Sequence, residues 1–130
     1  MYLQSIGTVH SPIHDRALRD AKDIVSTITV HEQFVEALDG IESYSHIVVL
    51  YWFHLSERPA SMKVHPRGDP SRPKRGIFAT RSPVRPNPIG LTVVRLLERR
   101  GNELLVRGLD AIDGTPVVDI KPHIQPGYDV

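Results

Sequence analysis

"LTVVRLLERRGNELLVRGLDAI" runs from Leu91 to Ile112 and holds two apolar runs separated by "RRGNE". Gly101 and Asn102 within that separator are turn formers, and the flanking runs are of strand length. The stretch reads as an antiparallel hairpin, and a hairpin this clear sets the expectation for the rest of the chain. Upstream, "SHIVVLYWFH" (Ser45 to His54) is the best strand in the sequence, and "IVSTITV" (Ile24 to Val30) is rich in β-branched residues. "LQSIGTVHSP" reads as a first strand ending at Pro12, and "DGTPVVDIKP" as a turn at Asp113-Gly114 followed by a last strand. One segment breaks the pattern. "HEQFVEALDG" places Phe34, Val35 and Leu38 at helical spacing, with Gly40 positioned to end a helix. "HDRALRDAKD" is polar and reads as a loop or frayed turn. Five or six strands without strand–helix alternation argue against a doubly wound sheet. The expected fold is mainly β, a small antiparallel barrel with one or two short helices, and not a Rossmann fold.

The chain has 130 residues, which suits a single domain spanning 1–130. With no cysteine it has neither disulfides nor thiolate metal sites nor a cysteine nucleophile, in keeping with a reducing cytoplasm. The N-terminus "MYLQSIGTVHSP" lacks the pattern of a signal peptide. Its longest apolar run, Ile47 to Phe53, falls far short of the roughly 20 residues of a membrane helix. The net charge of +1 conceals an asymmetry. Between Arg58 and Arg85 lie eight of the sixteen Lys and Arg residues, against one acid, Asp69, and seven of the eleven prolines fall between Pro59 and Pro88. A basic, proline-stiffened middle attracts anions, phosphates included; the plainer reading is a solvated loop.

Tests for familiar chemistry are mostly negative. Neither a phosphate-binding loop nor a dinucleotide fingerprint is present. Histidines at 10, 14, 31, 46, 54, 65 and 123 are scattered, and none of their spacings requires convergence on a metal, so no metal site is expected. His54, at the exit of the long strand, is the histidine placed to look into a site. Ser82 lacks a nucleophile-elbow context.

The remaining oddity is "RSPVRPNPIGLT", Arg81 to Thr92. Proline fixes its own φ and holds the preceding residue extended, so Arg85-Pro86-Asn87-Pro88 is locked. Pro86 and Pro88 donate no hydrogen bond, which leaves carbonyls available to a ligand, and Gly90 permits close approach of another group. Taken alone, the segment reads equally as a rigid connector.

Taken with "IGTVHSP", "GIESYSHIVVLYWFH", "HPRGDP", "RGIFATR" and "LDAIDGTPVVDIKPH", in that order from Ile6 to His123, the chain resembles the TsaA-like, or TrmO-type, family of tRNA methyltransferases. The resemblance implies a small β-barrel that binds S-adenosylmethionine, usually as a homodimer with its sites near the subunit interface. It implies N-methylation of threonylcarbamoyladenosine beside the anticodon of tRNA. By position in the family's motifs, the cofactor-contacting residues are His54, Leu55, Arg81, Leu91, Leu109, Asp110 and Ala111. Asn87, Asp119 and Lys121 are the polar groups expected near the transferred methyl, with Asp119 the preferred base. Arg67, Lys74, Arg75 and Arg85 are expected to meet RNA.

Two departures bear on the acceptor. Where family members that act on tRNA carry a Pro-Arg-Gln-Gly-like segment, this chain has "IHDRALRDAKDIV", and it ends soon after "DIKPH" without the extension of larger bacterial members. His123 stands where a tyrosine is usual. A methyltransferase acting on a small molecule or another nucleoside, and a module that binds S-adenosylmethionine without turnover, are therefore the alternative readings.

Overall fold

The structure, a computed structural model, describes residues 1–15 and 20–124. The centre of "HDRALRDAKD", residues 16–19, lies outside the described residues. Strands β1 (Gly7–His10), β2 (Val25–Val30), β3 (His46–Trp52), β6 (Ile89–Arg100), β7 (Glu103–Arg107) and β8 (Pro116–Pro122) form a closed antiparallel barrel in the order β1-β2-β7-β6-β3-β8. Closure pairs β1 with β8, Gly7 opposite Val117, so the barrel has no free edge. The expected barrel is therefore present, and closure removes any need for a partner to cover an edge.

Alternation explains the core. Along β3, Ile47, Val49 and Tyr51 point inward and are buried, while Val48, Leu50 and Trp52 face out and are half-buried. Val94 and Leu96 of β6, Leu104 and Val106 of β7, and Ile28 and Val30 of β2 complete the interior. The hairpin forms where its turn residues stand. Gly101 takes φ 59°, a conformation suited to glycine, and Asn102 Nδ2 donates to Val30 O at 2.8 Å, tying the turn to β2. β6 begins at Ile89, two residues before the expected run.

The expected helix at 32–38 is a 3₁₀ segment, Glu32–Leu38, and no α-helix occurs among the described residues. A seven-residue segment has little helical cooperativity of its own, so packing decides its geometry. The segment instead closes i→i+3 bonds, such as Asp39 N to Glu36 O at 3.2 Å, and buries Leu38 against the barrel with Phe34 and Val35 partly packed. Gly40 follows at φ 90°, as expected of a terminator. The first strand is shorter than its apolar pattern suggested, four residues only. Among the described residues, no helix is long and apolar enough to cross a membrane.

The basic middle is a lobe at one end of the barrel. It contains a two-stranded ribbon, β4 (Lys63–Val64) with β5 (Arg75–Gly76), that two-residue strands do not announce in sequence.

Candidate functional site

Between the lobe and the barrel end lies a cleft of about 1020 Å³. Ordinary small-ligand sites occupy roughly 300–1000 Å³, so this one has room for a cofactor and part of a second molecule. Three elements build it. The end of β3 supplies Tyr51 and then Phe53, His54 and Leu55; the β7–β8 connection supplies Asp110 and Ala111; the lobe supplies Arg67, Arg72 and Arg75, and the segment from Phe78 to Val84 that includes Arg81.

At the barrel end two hydroxyls converge on one carboxylate. The hydroxyls of Tyr51 and Thr92, 2.9 Å apart, both donate to Asp110 Oδ1, at 2.7 and 2.9 Å. Tyr51 is 2% exposed. Burial, and then the charge of Asp110, push its hydroxyl well above the ordinary tyrosine value, while Arg81 acts in the opposite direction. Tyr51 is therefore a protonated donor that fixes the Asp110 carboxylate. Phe53 packs edge-on against Tyr51, centroids 5.4 Å apart. Gly90 lies against both rings, and a Cβ there would meet Tyr51 Cε2 at 2.6 Å and Phe53 Cζ at 2.8 Å.

Arg67 has φ 54°, uncommon for a residue with a side chain, and is followed by Gly68 at φ 67°. Its conformation costs on the order of 1 kcal/mol and turns the chain so that Arg67 lines the cleft.

The proline segment meets its expectation only in part. Between Arg81 and Pro88, the carbonyls of Ser82, Pro83, Asn87 and Pro88 are engaged internally. Pro88 O accepts from Phe53 N at 2.7 Å, Asn87 O from Ile89 N at 2.7 Å, and Pro83 O from Ser56 Oγ at 2.8 Å. The carbonyls of Thr80 and Ser82 both accept from Arg85 Nη1 at 3.1 Å. The segment fastens the lobe to the end of β3, and these carbonyls are not presented to a ligand.

The expected site residues divide accordingly. The cleft gathers His54, Leu55, Arg81, Asp110 and Ala111, together with Arg67 and Arg75. Leu109 is fully buried in the core beside Asp110. Leu91 and exposed Asn87 are outside the cleft lining, as are Lys74 and Arg85. Asp119 and Lys121 lie on the outer face of β8, opposite Leu50 and Val48, and pair with each other at 2.8 Å. A bulge between Val117 and Asp119 puts them there, because it shifts the in–out alternation by one residue. Sequence reasoning passed over Tyr51 and Thr92. The available signal was Tyr51's position at the same strand parity as Ile47 and Val49. Among the described residues no group of three or more His, Cys, Asp or Glu is placed to hold a metal.

A closed antiparallel barrel with an arginine-lined, carboxylate-bearing cleft at one end defines a small ligand-binding barrel protein, distinct from the nucleotide-binding α/β class. Residues 9–129 match the family described as tRNA-methyltransferase O N-terminal domain, and the chain belongs to that family. It is 48% identical over 127 residues to a probable S-adenosyl-L-methionine-binding protein of Methanothermobacter thermautotrophicus, covering 95% of this chain and 90% of that protein. An S-adenosyl-L-methionine-binding protein of Archaeoglobus fulgidus is 46% identical over 127 residues, covering 95% and 89%. Two solved structures of TrmO superpose over the whole chain. The Pseudomonas aeruginosa protein has TM-score 0.79 at 32% identity, and a second TrmO has 0.80 at 36%. This chain spans 57% and 60% of those two chains.

Proposed function

We propose that the protein is an S-adenosylmethionine-dependent methyltransferase whose acceptor is tRNA, with the exocyclic nitrogen of threonylcarbamoyladenosine beside the anticodon as the methylated atom. The observation that carries this reading is the presence of a hydroxyl-anchored Asp110 carboxylate and of Arg81 in the lining of one cleft. S-adenosylmethionine carries an ammonium and a sulfonium as well as a carboxylate, and would supply an electrophilic methyl group. Arg81 suits the carboxylate. Asp110, with Oδ1 held by Tyr51 and Thr92, directs its charge toward cationic and donor groups. His54, Leu55 and Ala111 furnish ring and apolar walls for the adenosine. What the chain contributes is orientation, which is the larger part of what a methyl transfer needs. Arg67, Arg72 and Arg75, at the lobe side of the cleft, would meet phosphates.

The reading includes a second copy of the chain. Leu91 and Val93, 47% and 41% exposed, stand beside Val48, Leu50 and Trp52 on the outer face of β3 and β6, an apolar surface on a barrel that needs no edge cover. A homodimer burying this face, Leu91 included, would also enclose Asp119 and Lys121 on the neighbouring β8.

Calorimetry and a transfer assay test the reading together. Arg81→Ala should lower S-adenosylmethionine affinity roughly ten- to hundred-fold, the worth of about 1.5–3 kcal/mol for a hydrogen bond to a charged group. Unchanged affinity removes Arg81 from the site. Labelled S-adenosylmethionine should methylate tRNA from cells lacking this modification. The outward placement of Asp119 and Lys121 favours a second reading, binding without turnover. Tight binding with no product on tRNA or on a metabolite extract would establish that reading instead.

A further inference from the structure

Phe78 is 82% exposed, whereas its neighbour Ile77 is 2% exposed. The two belong to a single 3₁₀ turn, Ile77–Ala79. That turn is rigidly held: Ile77 N donates to Met62 O at 2.9 Å, and Thr80 returns its amide and hydroxyl to Ile77 O at 3.0 and 2.7 Å. The ring is thus displayed by an anchored backbone. Leaving a phenylalanine in water forgoes about 1.5–3 kcal/mol of burial. The Arg85 guanidinium sits 6.0 Å from the ring centroid, pinned there by its two carbonyl partners. With Arg85 on one side, the exposed area lies on the others. Phe78 also lines the cleft that Arg67, Arg75 and Arg81 line. An open aromatic face, backed by a guanidinium and sharing its cleft with further arginines, is the combination that receives bases of single-stranded nucleic acid.

We propose that Phe78 is the stacking platform for the acceptor base, which leaves an RNA loop and lies on the open side of the ring while the arginines hold its flanking phosphates. The proposal rests on the reading of the protein as an RNA methyltransferase. The deeper aromatic, Phe53, packed on Tyr51 beside Asp110, is left to the cofactor end of the cleft. A base moved out of its loop gives up stacking worth a few kcal/mol, which a waiting aromatic face restores.

The test uses an RNA stem-loop carrying 2-aminopurine in its loop, one position at a time, with the wild-type protein, Phe78→Ala and Phe78→Trp. Wild type should quench the fluorophore at one position. Phe78→Ala should lose that quenching and bind the RNA about 5- to 150-fold more weakly, which is about 1–3 kcal/mol of stacking. Phe78→Trp should restore both. S-adenosylmethionine affinity should stay within about twofold in both variants, and so should the urea midpoint, since the side chain is exposed. If Phe78→Ala binds and quenches like wild type, the platform is overturned and the RNA reading stands. If its cofactor affinity falls as far as its RNA affinity, Phe78 belongs to the cofactor site and the proposal fails. If wild type binds no RNA, the proposal and the reading beneath it fall together.

Discussion

At the scale of residues, Gly90 shows what was and was not legible. A glycine after the prolines implied close approach of another group, and the group is the protein's own Tyr51 and Phe53. Gly90→Ala forces one ring to move, because its Cβ would lie 2.6 Å from Tyr51. Overpacking of this kind costs about 1–3 kcal/mol. Urea melts should show that loss, and S-adenosylmethionine affinity should fall with it, since displacement of Tyr51 loosens the hold on Asp110. A variant with wild-type stability and affinity would mean that the rings have slack. The convergence of Arg81 and His54 on one cleft was readable because the motifs that carry them sit at the ends of the elements that build it. The direction in which Asp119 and Lys121 face was not readable, because a bulge leaves no mark in the alternation of "PVVDIKP" and reverses which residues face out.

Elements were legible in proportion to their turn chemistry. The Gly101-Asn102 hairpin needs only local signals, and it formed where it was read. The helical spacing of Phe34, Val35 and Leu38 also holds, yet seven residues close as 3₁₀ turns. This segment is fastened by Arg99 of β6. The guanidinium donates to Leu38 O at 3.3 Å, Gly101 O at 2.9 Å and Glu42 Oε1 at 3.1 Å. Arg99 is 16% exposed at the side chain, but Glu42 is 57% exposed, so most of the stabilisation comes from the carbonyl bonds. Arg99→Ala should lose about 1–2 kcal/mol in urea denaturation at neutral pH. The hydrogen bond from Arg99 holds the Glu42 carboxyl below its ordinary value of 4.5. A carboxyl lowered in the folded state contributes stability above its unfolded value and loses it as pH falls through the folded one. The gap between wild type and Arg99→Ala should therefore narrow slightly below pH 4.5. A gap that widened on acidification would contradict the pairing.

For the whole molecule, the class was readable and the strand order was not. Short strands with turn residues between them imply a barrel, but neighbours such as β2 with β7, or β3 with β8, are distant in sequence and carry no local sign. The same is true of a cleft assembled from three such places. The outer apolar face of β3 and β6 belongs to this scale as well. Val93→Glu puts a charge at its middle, on a side chain already 41% exposed, so the fold should persist. Sedimentation should show wild type as a dimer and Val93→Glu as a monomer with an unchanged circular-dichroism spectrum. A wild-type monomer, or a variant that still dimerises, would place any interface elsewhere.

Closure of the barrel has a consequence for how the chain is made. The seam joins Gly7 to Val117, and Asp113 N bonds back to Ile13 O at 2.7 Å. During synthesis the first strand can meet β2, but its other side stays open until the last strand emerges from the ribosome. β3 likewise waits on one side for β8. Everything through β8 must be translated before the nascent sheet can seal, so the barrel cannot close strand by strand as its residues emerge.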